Sequence, residues 1–209
     1  AERLRDALHR FTGGRVTVAI ASLPYKCPAA PYETAMLIDG YLRQRGIRDV
    51  SQVAMYTPEP LPLPVAGPQA GYSVAAELAA RGITFHPRTP LEGVEPTALR
   101  FGGELVPHDL AVVIPPHRPP DVIAKSSLAG PNGWIPVDRA TLRTRASNVY
   151  AIGDSTVIPL ENGLALPKAG VFAHGEAEVV AENIARRTFF TTALAYGDRS
   201  PLSSWYPSR

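Results

Sequence analysis

The sequence predicts an α/β fold whose first part is built on a parallel sheet. Two kinds of segment alternate: continuous β-branched apolar runs, which suit strands covered on both faces, and stretches with apolar residues at helical spacing. A strand, a helix and a second strand fall within about 40 residues, the pattern of a βαβ unit.

Ala1-Glu2-Arg3-Leu4-Arg5 opens an amphipathic helix within residues 1–14, not a secretory signal. Val16 to Ala21, bounded by Gly13-Gly14 and Pro24, reads as a buried strand. Pro31 begins a helix through about Arg45, with Ala35, Met36, Ile38 and Leu42 on one face and Gly46 as its stop. Ser51 to Thr57 is the second strand. Pro58 to Pro68 carries five prolines and is expected to be an extended loop or flap with no helix. Gly71 to Arg81 is a helix stopped by Gly82, and Ile83-Thr84-Phe85 a third strand. From Ala98 to Ile114 short strands surround Gly102-Gly103, a hairpin signal, and end in Leu110 to Ile114. Pro115-Pro116-His117-Arg118-Pro119-Pro120 marks a domain crossover. Residues 188–209 lack periodicity and read as a tail.

With 209 residues and 45% apolar content, the chain can bury a sizeable core. A net charge of +2, with basic and acidic residues interspersed, argues against a nucleic-acid partner. No apolar run approaches the roughly 20 residues that span a bilayer, so membrane association is expected to be peripheral at most. The compartment, soluble, cytoplasmic or membrane-peripheral, is left open, as is homo-oligomerisation. A lone cysteine rules out an internal disulfide framework. The histidines His9, His86 and His108 show no ligand spacing with one another or with Cys27, and no metal is expected.

Two segments carry chemistry. Asn148-Val149-Tyr150-Ala151-Ile152 reads as an apolar strand running into Gly153-Asp154, and Pro167-Lys168-Ala169-Gly170 opens a long helix from about Lys168. A carboxylate at a strand end and a helix N-terminus suit FAD, the acid for the ribityl or pyrophosphate end and the backbone N–H groups for an electron-rich flavin edge; the alternative is a buried parallel strand with an ordinary Gly-Asp turn. Thr144-Arg145 leads into this strand. Cys27 lies between the first strand and its helix, beside Lys26, where a helix dipole and a cation are expected to favour a thiolate, although an inert, buried packing cysteine is the plainer reading of the residue alone. A dinucleotide-binding turn here would read Gly-x-Gly-x-x-Gly. Ala21 to Cys27 has no glycine, so a cysteine site stands in place of an NAD site, and an NADH-using flavoenzyme is disfavoured. His117 could assist proton transfer, although a solvated turn histidine is the plainer reading. His174 reads as a helix-surface group, and Trp134 and Tyr32 as packing aromatics.

Five blocks in one order resemble the sulfide:quinone oxidoreductases and the flavoprotein subunit of flavocytochrome c sulfide dehydrogenase. They are Lys26-Cys27-Pro28 with Ala30-Pro31-Tyr32-Glu33, Val112 to His117, Gly133 to Asp138, Val149 to Asp154, and Pro167 to Gly170. The resemblance covers roughly residues 15 to 187. It implies the Rossmann-like, two-dinucleotide-binding-domain fold of the pyridine nucleotide-disulfide oxidoreductases. Residues 15–118 would be the NAD(P)-binding-like domain, with the helix in 1–14 and residues 119–187 belonging to a partial FAD-type domain. It implies FAD as cofactor, sulfide or another sulfur species as substrate, and a quinone or cytochrome as acceptor. Cys27 would be the cysteine that handles sulfur. Gly153 and Asp154 would contact FAD, and Lys168, Ala169 and Gly170 would stand at its flavin end.

The family opens with a Gly-x-Gly-x-x-Gly turn for the FAD pyrophosphate, and none precedes residue 15 here. It also uses a second redox cysteine, which this sequence lacks, so no internal dithiol cycle can run on Cys27 alone. The sequence is therefore expected to be a truncated member that binds FAD weakly or not at all. The alternative is a non-catalytic α/β module that binds a partner chain or small ligand.

Overall fold

The computed structural model describes residues 2–189, with side chains through Arg186. The expected tail lies almost wholly outside the described residues. The chain divides into two compact units, Ala1–His117 and Arg118–Arg209.

In the first unit, α1 (Glu2–Arg10) leads to β1 (Gly14–Ile20), α2 (Ala30–Gln44), β2 (Ser51–Tyr56), α3 (Pro68–Ala80) and β3 (Ile83–His86). Three short strands follow, β4 (Leu91–Val94), β5 (Ala98–Phe101) and β6 (Glu104–Pro107), before β7 (Leu110–Ile114). The main sheet has the order β3-β2-β1-β7, and all its pairs are parallel. Gly14 is opposite Ser51, Val16 opposite Leu110, and Val53 opposite Ile83. The expected parallel sheet is present, with the Leu110–Ile114 run as its fourth strand.

The period-2 alternation of the strands sends side chains to two covers. Val16, Val18, Ile20, Val53 and Met55 pack with Ala35, Ile38 and Leu42 of α2 and Leu78 of α3. On the other side Ala19 and Tyr56 meet Leu99 and Phe101 of the small antiparallel sheet β4-β5-β6. Gly102 (φ 55°) and Gly103 (φ 80°) form the two-residue β5–β6 turn, with Phe101 opposite Glu104; two positive φ angles in succession call for glycine. Leu8 and Phe11 pack α1 and the residue after it onto the first unit's core. Asp39 of α2 is fully buried and ion-paired to Arg43 (2.9 Å) and Arg48 (2.5 Å); Arg48 also donates to the carbonyls of Ser51, Arg81 and Gly82, joining α2, the start of β2 and the end of α3.

Two expectations are corrected in this unit. The proline-rich segment is not helix-free: Pro64–Ala66 is a 3₁₀ turn, and α3 begins at Pro68. Proline is tolerated in a first helical turn because its missing N–H would have no partner there. The segment is also no solvated flap at its start, since Glu59 is buried.

The second unit contains α4 (Asp121–Ala124), a two-stranded parallel ladder of β8 (Ile135–Pro136) and β9 (Thr156–Val157), and α5 (Gly170–Phe189). Its core joins Leu142 and Ile158 to Val179 of α5. The expected strand over 148–152 is absent. Asn148 is left-handed (φ 62°), a single antiparallel bridge links Arg143 to Tyr150, and Gly153–Ser155 is a 3₁₀ turn. The left-handed residue ends the extended run at its start, and the ladder forms only after the Gly-Asp pair, at Thr156. The helix expected from about Lys168 begins at Gly170.

Candidate functional site

The predicted residues fall in two places, one in each unit.

In the first unit, Cys27 follows the carboxyl end of β1, the end of a parallel sheet where α/β proteins bind ligands. It is exposed and left-handed (φ 56°), a conformation that strains any residue with a Cβ. Its carbonyl accepts the Ala30 N–H (2.9 Å), closing the turn into α2. Lys26 is also exposed. Beneath this turn Tyr25 and Tyr32 converge on Glu59. The Tyr25 hydroxyl is 2.9 Å from Glu59 Oε2 and the Tyr32 hydroxyl makes a short hydrogen bond to the same oxygen. Thr57 Oγ1 lies 3.3 Å from it and accepts the Glu59 N–H. Burial pushes the Glu59 carboxyl above its usual range although these bonds oppose the shift. Burial, reinforced by the Glu59 charge, pushes both tyrosines far above theirs. Tyr32 is thus more than a packing aromatic. The sequence offered one signal, two tyrosines bracketing the cysteine.

In the second unit, Gly153 (φ 63°) sits on α5: a Cβ there would come 3.1 Å from that of Ala173. Its N–H donates to Glu176 Oε2 at 2.5 Å, and Glu176 is 1% exposed. Lys168 folds back over the turn. Its ammonium donates to the carbonyls of Asp154 (2.9 Å) and Thr156 (2.6 Å) and stands 3.7 Å from the centroid of the Trp134 ring. Trp134, buried as expected of a packing aromatic, therefore also carries a cation–π contact. Burial lowers the Lys168 pKa against the opposing pull of Asp154 and Glu176; burial raises that of Glu176 against its Gly153 bond and Lys168.

A concavity is lined by Gly153, Thr156, Lys168, Ala169, Phe172 and Glu176. Gly170, at the start of α5, has open space where a Cβ would stand. The start of α5, the half-buried Lys168 ammonium and the half-exposed Asp154 lie along one short stretch of chain, a set of groups whose chemistry suits an electron-rich ring edge and a hydroxylated tail. It is the chemistry of these groups, not the size of the concavity, that is compatible with a flavin. Glu176 is the member that sequence reasoning missed.

Arg145 anchors the approach to the turn by donating to the carbonyl of Ser127. His174 is an exposed group paired with Glu178 on α5, as its position suggested, and His117 is half-buried at the boundary of the units. Among the described residues no three His, Cys, Asp or Glu side chains cluster as metal ligands would, and no helix is long and apolar enough to cross a membrane.

Residues 1–60 match the family model for the central part of the flavoprotein chain of flavocytochrome c sulfide dehydrogenase. Mitochondrial sulfide:quinone oxidoreductase of Mus musculus is 28% identical over 173 residues, covering 76% of this chain and 37% of its own. That of Dictyostelium discoideum is 32% identical over 155 residues, covering 68% and 33%. The crystal structure of the Aquifex aeolicus sulfide:quinone oxidoreductase superposes with a TM-score of 0.75 at 24% identity, over 90% of this chain and 46% of that one. The chain spans a third to under a half of the length of these proteins.

Proposed function

Because this chain belongs to the family of sulfide:quinone oxidoreductases and flavocytochrome c sulfide dehydrogenase flavoproteins, among the pyridine nucleotide-disulfide oxidoreductases, we propose that it supplies the sulfur-accepting cysteine and the ring-edge half of an FAD site. The observation that carries this reading is the Gly153–Lys168–Gly170 constellation, in which a half-buried lysine and a helix N-terminus meet at a Gly-Asp turn.

FAD, when bound, accepts an electron pair and passes it to a quinone or cytochrome. Lys168, held by the Asp154 and Thr156 carbonyls, would offer positive charge to the ring edge. Gly153 and Gly170 would keep Cβ atoms away from it, Ala169 lines the same concavity as Lys168, and Asp154 could accept from ribityl hydroxyls. Cys27 would take the sulfur: its thiolate and a hydrosulfide ion would form one S–S bond with release of one proton and two electrons, an electron pair for which a bound flavin would be the oxidant. Glu176 holds the Gly-Asp turn in place by accepting the Gly153 N–H.

Uptake of FAD by the purified protein, read as a structured visible band and quenched flavin fluorescence, tests the cofactor part. Binding is expected to be weaker than about 1 μM, because no Gly-x-Gly-x-x-Gly turn for the pyrophosphate occurs in this sequence.

A further inference from the structure

We propose that Glu59 is the positioning residue of the Cys27 turn. The inference rests on the reading of Cys27 as the sulfur-accepting group and names what holds it in place.

Cys27 is held in a strained left-handed conformation while its side chain is exposed, so its position is not set by packing of the thiol. Nor does a side-chain cap fix the helix that follows, since Ala29 stands at the N-cap of α2. The fixed points lie on either side. Tyr25, two residues before the cysteine, and Tyr32, five after it, are 6% and 2% exposed, and both hydroxyls meet one oxygen of Glu59. Thr57, at the end of β2, bonds to the same oxygen and to the Glu59 N–H, and the Arg88 N–H donates to the Glu59 carbonyl. One carboxyl thus joins β2, the strand-to-helix turn and α2.

An apolar side chain at this place would fill the space between the two rings without desolvating a charge. What the carboxyl adds is direction, because each ring must aim its hydroxyl at a single oxygen and the chain between the rings carries Cys27. The Tyr25 hydroxyl has one proton and two acceptors in reach, Glu59 Oε2 at 2.9 Å and the Pro28 carbonyl at 3.2 Å. With Glu59 ionised the proton goes to the carboxylate. With Glu59 protonated the Tyr25 proton is free for the Pro28 carbonyl, on the residue next to Cys27. The groups that face Glu59 are Tyr25, Tyr32 and Thr57, and the tyrosines stay protonated far above neutrality. Glu59 is therefore the member of the cluster that titrates.

The test uses the full chain and 2,2′-dithiodipyridine, which exchanges with a thiol and releases a coloured thione. Cys27 is the one cysteine in the sequence, so the rate reports on it alone. Rates are measured against pH for the wild type, Glu59→Gln, Tyr32→Phe and the double variant. Each single variant is expected to change the rate at fixed pH by about threefold or more, and the double variant by no more than the larger single effect, as coupled partners do. The wild-type profile should carry an inflection besides that of the thiol, and Glu59→Gln should remove it. A Glu59→Gln protein with native circular dichroism, a rate within about 1.5-fold of wild type and an unchanged profile would overturn the proposal. Should that variant not fold, Tyr25→Phe, which keeps the Tyr32 and Thr57 bonds, takes its place, and an unaltered rate and profile there overturns it equally. The exchange needs neither flavin nor sulfide, so its failure is distinguishable from failure of the sulfide-oxidising reading.

Discussion

The Lys168 ammonium stands 3.7 Å from the centroid of the Trp134 ring and gives its hydrogen bonds to two backbone carbonyls of the Gly-Asp turn. It is a half-buried cation whose nearest partners are dipoles and a π face. The arrangement fixes the turn and leaves positive charge at the mouth of α5.

Lys168→Met keeps the aliphatic stem and removes the charge. It is expected to cost about 1–3 kcal/mol, from the cation–π contact and the two carbonyl bonds, measured by urea unfolding at neutral pH. The pH dependence has a definite sign. Burial lowers the folded-state pKa below the ordinary lysine value of about 10.4. Between those two values the unfolded chain still holds the proton that the native state has lost. Wild-type stability should therefore rise with pH across that window relative to Lys168→Met.

Gly153 and Gly170 separate folding from binding. Gly153→Ala places a Cβ at φ 63° and 3.1 Å from Ala173, and should destabilise by about 1–3 kcal/mol. Gly170→Ala meets open space and has no positive φ, so stability should stay within about 0.5 kcal/mol while FAD binding weakens, because the new methyl enters the space assigned to the ring. Unfolding curves and flavin fluorescence titrations on both variants check this.

At Asp39, burial opposes the charge, but hydrogen bonds from Arg43 and Arg48 outweigh it and hold the carboxyl below its usual range. The contribution is present above the unfolded-state pKa of about 3.9 and is lost as pH falls toward the folded value. Asp39→Asn should cost about 3 kcal/mol at neutral pH by leaving Arg48 without its carboxylate. The difference from wild type should shrink in acid, as followed by unfolding curves at a series of pH values.

The main sheet was legible because its strands are continuous apolar runs, and a run such as Val16–Ile20 leaves a half-exposed strand no polar face. The stretch Val149–Ile152 has the same composition without being a strand, since composition does not supply a pairing neighbour and Asn148 turns the chain at its start. The strand β4 escaped notice because its four residues alternate between half-buried and exposed positions and include a glycine. Glu59 was hidden for another reason. A glutamate among prolines reads locally as solvated loop, and its partners lie 34 and 27 residues away in sequence. Cys27, Gly153, Asp154 and Lys168 were singled out from motif alone, whereas the Glu176 bond that seats Gly153 crosses 23 residues and has no local signature.

Anaerobic addition of sulfide to FAD-loaded protein tests most directly whether Cys27 accepts sulfide sulfur with a flavin as the oxidant, as proposed. Loading uses FAD well above the weak dissociation constant, with free FAD as the control for background reduction. The visible flavin band should be lost faster with wild-type protein than with free FAD, and Cys27→Ser should return the rate to the control. A wild-type rate equal to free FAD, or a Cys27→Ser rate equal to wild type, would contradict the account.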